Sequence, residues 1–193
     1  MQDLHIRPST RTTSASARGA AARWMVTFLG FPLAGASALL VGPVDSVAAA
    51  LLGGLLTGAV LGAVQVWGLG RNRPPVGAWI AATAVGLMAG LTTGATAVDY
   101  DTSLQALLIQ GAITGLAVGV AQAVVLLPRL GGAAFAWPPA LATIWAAGWA
   151  TSASIGIDVD HQFTIFGSSG ALVVTILTVA LPLALARNPR QPS

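Results

Sequence analysis

The sequence predicts an all-α integral membrane protein, with six transmembrane helices arranged as three parallel-repeat helical hairpins and both termini cytoplasmic. Three observations predict it. Hydrophobic residues fill 55% of the chain and charged ones 8%, with a mean hydropathy of +0.78, whereas soluble domains carry about a quarter charged residues. A chain this apolar has no water-soluble fold that hides its surface, so the bilayer is its solvent. Second, apolar runs of about 20 residues, the length that crosses the hydrocarbon core, alternate with short polar breaks. Third, a pattern of glycines closed by a glutamine occurs twice.

In chain order, residues 1–22 are a polar Arg/Ser/Thr/Ala tail without apolar periodicity, read as a disordered cytoplasmic segment whose composition also resembles a targeting peptide. The membrane domain, 23–187, contains spans near 23–44, 46–69, 76–98, 104–127, 134–156 and 169–186. Their separators are "GPVDS", "GRNRPP", "DYDTS", "PRLGG" and "GIDVDHQFTIFGSS", rich in the glycine, proline and aspartate that mark turns. Residues 188–193 form a second short tail.

Six spans sort the charges. Arg7, Arg11, Arg18, Arg23, Arg71, Arg73, Arg129, Arg187 and Arg190 fall on one side; Asp45, Asp99, Asp101, Asp158 and Asp160 fall on the other. Arginine in short loops marks the cytoplasmic face, so the expected location is a bacterial inner membrane with both termini inside. Five or seven spans spoil the sorting. Trp24, Trp67, Trp79 and Trp137 lie at the same ends of their spans as the arginines, which predicts rings at headgroup level. Because the basic residues cap apolar runs instead of forming a stripe on a soluble face, nucleic acid is not an expected partner.

"GLLTGAVLGAVQ", Gly54 to Gln65, returns as "GAITGLAVGVAQ", Gly111 to Gln122. At this offset Gly54, Gly58 and Gly62 align with Gly111, Gly115 and Gly119, Thr57 with Thr114, and Gln65 with Gln122. The third span has its own ladder in Gly86, Gly90 and Gly94, and the fifth has Gly148, Ser152 and Gly156. Trp79 aligns with Trp137 and Gly90 with Gly148. An offset covering two crossings preserves orientation, so the unit is a helical hairpin repeated about the membrane normal, at about 23–69, 76–127 and 134–186. In the third copy Gly170, Val174 and Thr178 stand at ladder positions and no glutamine follows. Small residues one turn apart let helix backbones approach in lipid, where burying leucine gives little association.

Gln65 and Gln122 are intramembrane polar groups, either interhelical hydrogen-bond partners across the pseudo-axis or the lining of a cytoplasmic vestibule. Trp145 and Trp149, one turn apart and deep in the fifth span, are packing aromatics or the wall of a solute or pigment site. Asp99, Asp101, Asp158, Asp160 and His161 on the acidic side could hold a divalent cation if their turns converge, or could be helix caps. The chain has no cysteine, and none of the hydrolase, zinc-protease, phosphate-loop or dinucleotide motifs. No span carries a charge clear of its ends, which leaves a proton relay nothing to use. An enzyme is therefore not expected, nor a cofactor.

The repeated helix ending in "QVWGLGR" and "QAVVLLPR" resembles a group of uncharacterised bacterial multi-pass proteins with duplicated glycine-zipper and glutamine hairpins. That resemblance implies the hairpin plan and no activity. In shape alone, three hairpins are similar to urea and amide channels, and six spans to the binding subunits of vitamin transporters. The expected function is a structural or accessory subunit of a membrane complex, packing against other membrane subunits or itself through the glycine faces. The alternative is a passive channel or substrate-binding transporter component for a small, mostly neutral solute. The first needs glycine faces that point partly outward and leave the bundle solid; the second needs polar residues converging on an internal cavity.

Overall fold

The computed structural model describes residues 10–155 and 167–188. Every regular element among them is helical: α1 (Thr10–Val26), α2 (Gly30–Ala38), α3 (Val47–Leu69), α4 (Val76–Ala97), α5 (Leu104–Leu130), α6 (Trp137–Ser154), α7 (Ser168–Leu177) and α8 (Ala180–Arg187). Tight 3₁₀ turns at Thr27–Leu29, Gly70–Asn72 and Gly131–Ala136 join neighbours. Four stretches are long and apolar enough to cross a membrane: Val47–Asn72, Val76–Ala97, Leu104–Ser154 and Ser168–Arg187. The third of these folds back on itself at Gly131, whose φ of +52° closes α5 in the left-handed region. At 1.5 Å per residue α3 is about 34 Å long, enough to cross a hydrocarbon core of about 30 Å. Large apolar side chains such as Leu33, Leu40, Leu55, Val85 and Val124 are exposed on the outer surface, which fits contact with lipid.

Local chemistry sets the helix ends. Ser46 Oγ accepts the Ala49 N–H at 3.3 Å and Ser103 Oγ accepts the Ala106 N–H at 3.3 Å, capping α3 and α5. These caps obey the same offset as the glutamines, so the repeat reaches back to the helix starts. The Ser103 hydroxyl and N–H also donate to the Asp101 carboxylate, at 2.7 and 3.0 Å, and hold its pKa below the ordinary value. Pro75 caps α4 and Pro138 lies in the first turn of α6, where a missing N–H costs nothing. At the end of α4, Asp99 and Tyr100 both take positive φ, 52° and 58°. Left-handed backbone costs a non-glycine residue about 1–2 kcal/mol, and here the Tyr100 ring is packed on Val44, Ala50, Leu91 and Ala95.

The first and last segments depart from the single helices expected. The first is divided into α1, a 3₁₀ turn and α2; the last is divided at Thr178–Val179 into α7 and α8. Pro32 and Pro182 explain both breaks. A proline lacks an N–H and its ring meets the carbonyl four residues back, here those of Phe28 and Thr178. In addition, α1 starts at Thr10, inside the stretch read as a disordered tail. Its alanines and arginines are strong helix formers.

From α2 to α7 each helix packs on the next along the chain, and α1, the first 3₁₀ turn and α2 return to contact α7 and α8, closing the series. The ladders set the register. A methyl group placed on Gly54, Gly58 or Gly62 would lie 2.8, 2.7 or 3.1 Å from the Cα of Met88, Ala84 or Ile80. Each step of four along α3 is met by four back along α4, as antiparallel neighbours require. Gly86, Gly90 and Gly94 approach Val118, Thr114 and Gln110 of α5 in the same way. Gly111 abuts Trp149 and Ala146, Gly115 abuts Leu141, and Gly119 abuts Pro138, all on α6; Gly170 of α7 abuts Gly148 and Ser152. The joints between the expected hairpins, α3–α4 and α5–α6, are laddered like α4–α5 within the second, while those within the first and third, α2–α3 and α6–α7, are less extensive, so packing does not mark out the hairpins as pairs. Gly156 lies outside the described residues.

The two ends differ in charge. Arg23 lies against Gly70, and the Arg129 guanidinium donates to the carbonyls of Asn72, of Leu185 at 3.1 Å and of Asn188 at 2.7 Å. Arginine on the last carbonyls of α8 also complements the helix dipole. The opposite end of α3 carries Val44 and the packed Tyr100, beside Asp45, Asp99 and Asp101.

Candidate functional site: a polar cluster inside the ring

Three indoles and two amides meet inside the bundle, toward its arginine end. Trp79, in the first turn of α4, is fully buried and donates from Nε1 to Gln65 Oε1 on α3 at 3.1 Å. Trp137, which opens α6, donates to Gln122 Oε1 on α5 at 2.8 Å. Gln122 Nε2 donates to Thr83 Oγ1 at 3.0 Å and lies 3.4 Å from Gln65 Oε1. Two donors on one oxygen fix the orientation of the Gln65 amide. Its Nε2 donates to no described residue, and Gln65 is one of the residues lining a central cavity.

The third indole belongs to Trp24 of α1. It donates to Thr178 Oγ1 at 3.1 Å and to the Thr175 carbonyl at 3.2 Å. The break in the last segment makes that carbonyl available. Val179 N–H donates to Ile176 O, at 3.2 Å, instead of to Thr175 O four residues back. The Thr175 carbonyl accepts from the Trp24 indole and, at 3.3 Å, from the Thr178 hydroxyl. A tryptophan therefore donates to a polar group on the preceding segment three times, from the first turn of α4 and of α6 and from the last turn of α1, with α7 preceding α1 around the ring.

The cavity between these groups measures about 20 Å³ as space open to the centre of a water molecule, room for about one water. All six segments line it: Thr27 and Phe31 with Trp24, Leu61 with Gln65, Trp79, Val118 with Gln122, Leu141 and Trp145 with Trp137, and Val174 and Leu181 with Thr175 and Thr178. No charged side chain is among them. The threonine hydroxyls donate to backbone carbonyls one turn back, Thr27 to Trp24, Thr83 to Trp79, Thr175 to Ala171 and Thr178 to Val174. The donor left over is the Gln65 amide.

Of the four tryptophans expected at headgroup level, Trp67 is 54% exposed, Trp137 is half-buried, and Trp24 and Trp79 are buried inside the bundle. An indole in a polar internal cluster satisfies its N–H without water. Trp145 and Trp149 are buried too: Trp145 lines the cavity, while Trp149 packs on Gly111. Thus the sequence reading singled out both glutamines and missed their indole partners. The signal was present, since Trp79 and Trp137 follow Gln65 and Gln122 by 14 and 15 positions.

On the acidic side, Asp99 and Asp101 belong to no group of three metal-ligating residues among the described residues. Asp158, Asp160 and His161 lie outside them.

No family model, curated protein or solved structure matches the chain. The site must therefore be read from its own chemistry. It offers a neutral donor and neutral acceptors in a largely apolar surround, and no charged side chain that could balance a charge.

Proposed function

We propose that the chain crosses a bacterial inner membrane six times as three hairpins, with both termini cytoplasmic, and serves as a passive channel or substrate-binding transporter component for a small, neutral, hydrogen-bonding solute. One observation carries the reading: polar side chains from all six segments converge on one uncharged internal cavity. The threefold recurrence of indole donation supports the hairpin repeat, and the gathering of arginines at one end supports the orientation. Gln65 and Gln122 bind or pass the solute, with Trp145 forming part of the apolar wall. A cavity that admits about one water is the closed state of such a path. The accessory-subunit reading needs glycine faces free for partners; the ladders are taken up within the chain.

The test is stopped-flow light scattering of liposomes containing the protein, with water and urea as probes. The wild type is expected to raise permeability to at least one probe above empty liposomes, and Gln65→Ala and Gln122→Ala to change it several-fold. Indistinguishable traces, together with a stoichiometric partner in gently solubilised membranes, would return the protein to the accessory-subunit class.

A further inference from the structure

We infer that the cavity opens sideways, into the lipid, by parting of the first segment (α1–α2) from the last (α7–α8). Three observations point to this seam. The ladders that bring backbones together lie on the joints α3–α4, α4–α5, α5–α6 and α6–α7. Contact across the seam is instead divided among α1, α2, the 3₁₀ turn, α7 and α8, and no helix there runs along another as α3 runs along α4. The two segments are also the ones broken by proline, at Pro32 and Pro182, and the 3₁₀ turn that breaks the first contacts α7 of the last. Finally, the Trp24 indole bridges the breaks. Its bonds to the Thr175 carbonyl and Thr178 hydroxyl join the segments at the cavity wall.

The other two indole contacts cannot part so readily. Trp79 and Gln65 sit on helices that share a ladder and a short turn, as do Trp137 and Gln122. The seam joins segments at opposite ends of the chain, with no turn between them. Leu29, Leu33, Leu172, Ile176 and Leu177 are exposed apolar residues of the two segments and their breaks, so an opening there leads to lipid and admits a neutral amphiphile from the bilayer. The inference rests on the proposed function only in treating the cavity as the destination.

The chain has no native cysteine, so nitroxide pairs can be placed freely. One pair, at Leu33→Cys and Leu172→Cys, spans the seam; a control pair, at Leu55→Cys and Val85→Cys, spans the α3–α4 joint. All four sites are exposed. In bilayers, Trp24→Phe, which removes only the donor, is expected to add a longer-distance population to the seam pair and leave the control pair unchanged. Thr178→Val, which removes an acceptor at equal size, is expected to act in the same direction and guards against a Trp24 variant that fails to fold. Unchanged seam distances in both variants, or equal broadening of both pairs, would overturn the inference. Label distances read the seam whatever solute crosses it, so this result and the flux result fail separately.

Discussion

Replacing Gly115 with leucine is expected to prevent the bundle from assembling, and Gly115→Ala to cost about 1–3 kcal/mol. A methyl group there would overlap the Leu141 carbonyl, its carbon 2.8 Å away. That neighbour is backbone and cannot swing aside as a side chain can. Relieving the overlap means moving α5 from α6, which also separates Gly111 from Trp149 and Gly119 from Pro138 and forfeits close dispersion contact along the joint. Gly77 is the control. It lies in the first turn of α4 with nothing within 4 Å of an added methyl group, so Gly77→Ala should be neutral or stabilising by up to about 1 kcal/mol. Unfolding of the purified variants in bicelles distinguishes them. Equal stability of Gly115→Ala and Gly77→Ala would show that the α5–α6 joint is not close-packed.

The second large effect is expected at Gln122. Its amide accepts from Trp137 and donates toward Thr83 and Gln65, and the residue is only 2% exposed. Gln122→Leu removes interhelical bonds worth about 0.6 kcal/mol each on average and leaves the Trp137 N–H without an acceptor, a further 1–3 kcal/mol or so. A loss of about 2–4 kcal/mol is expected. Gln65→Leu should cost a comparable amount, since it takes the acceptor from the fully buried Trp79 N–H and also breaks the contact with Gln122. Gln105→Leu, at an exposed position on the same helix as Gln122, should change stability by about 0.5 kcal/mol or less. Denaturant titration of the three variants checks this order. If Gln122→Leu were no more damaging than Gln105→Leu, the cluster would contribute nothing to stability.

Composition and period made the helical elements legible, because a bilayer allows few other ways to satisfy the backbone. Small residues at every fourth position also marked which helix faces meet, though not which neighbour each face meets. That depends on chain-long topology: the ladders could have served another subunit, and the structure turns them onto the next helix. The broken outer segments were less legible. Pro32 and Pro182 were visible, but membrane helices often tolerate proline, and their significance came from Trp24 binding the carbonyl that one break releases. The same limit applied to the indoles. A tryptophan at the end of a span suits both the headgroup level and an internal partner, and only the location of a polar group on the neighbouring segment decides between them.

Three indole N–H groups are hydrogen-bonded inside the ring while Trp67 is exposed. Hydrogen exchange of the six tryptophan indoles, read by nitrogen-15 NMR in bilayers and assigned with single Trp→Phe variants, tests this most directly. The structure predicts slow exchange for Trp24, Trp79 and Trp137 and fast exchange for Trp67, with the Trp137 signal becoming fast in Gln122→Leu. Exchange of Trp79 and Trp137 as fast as that of Trp67 would contradict the internal cluster.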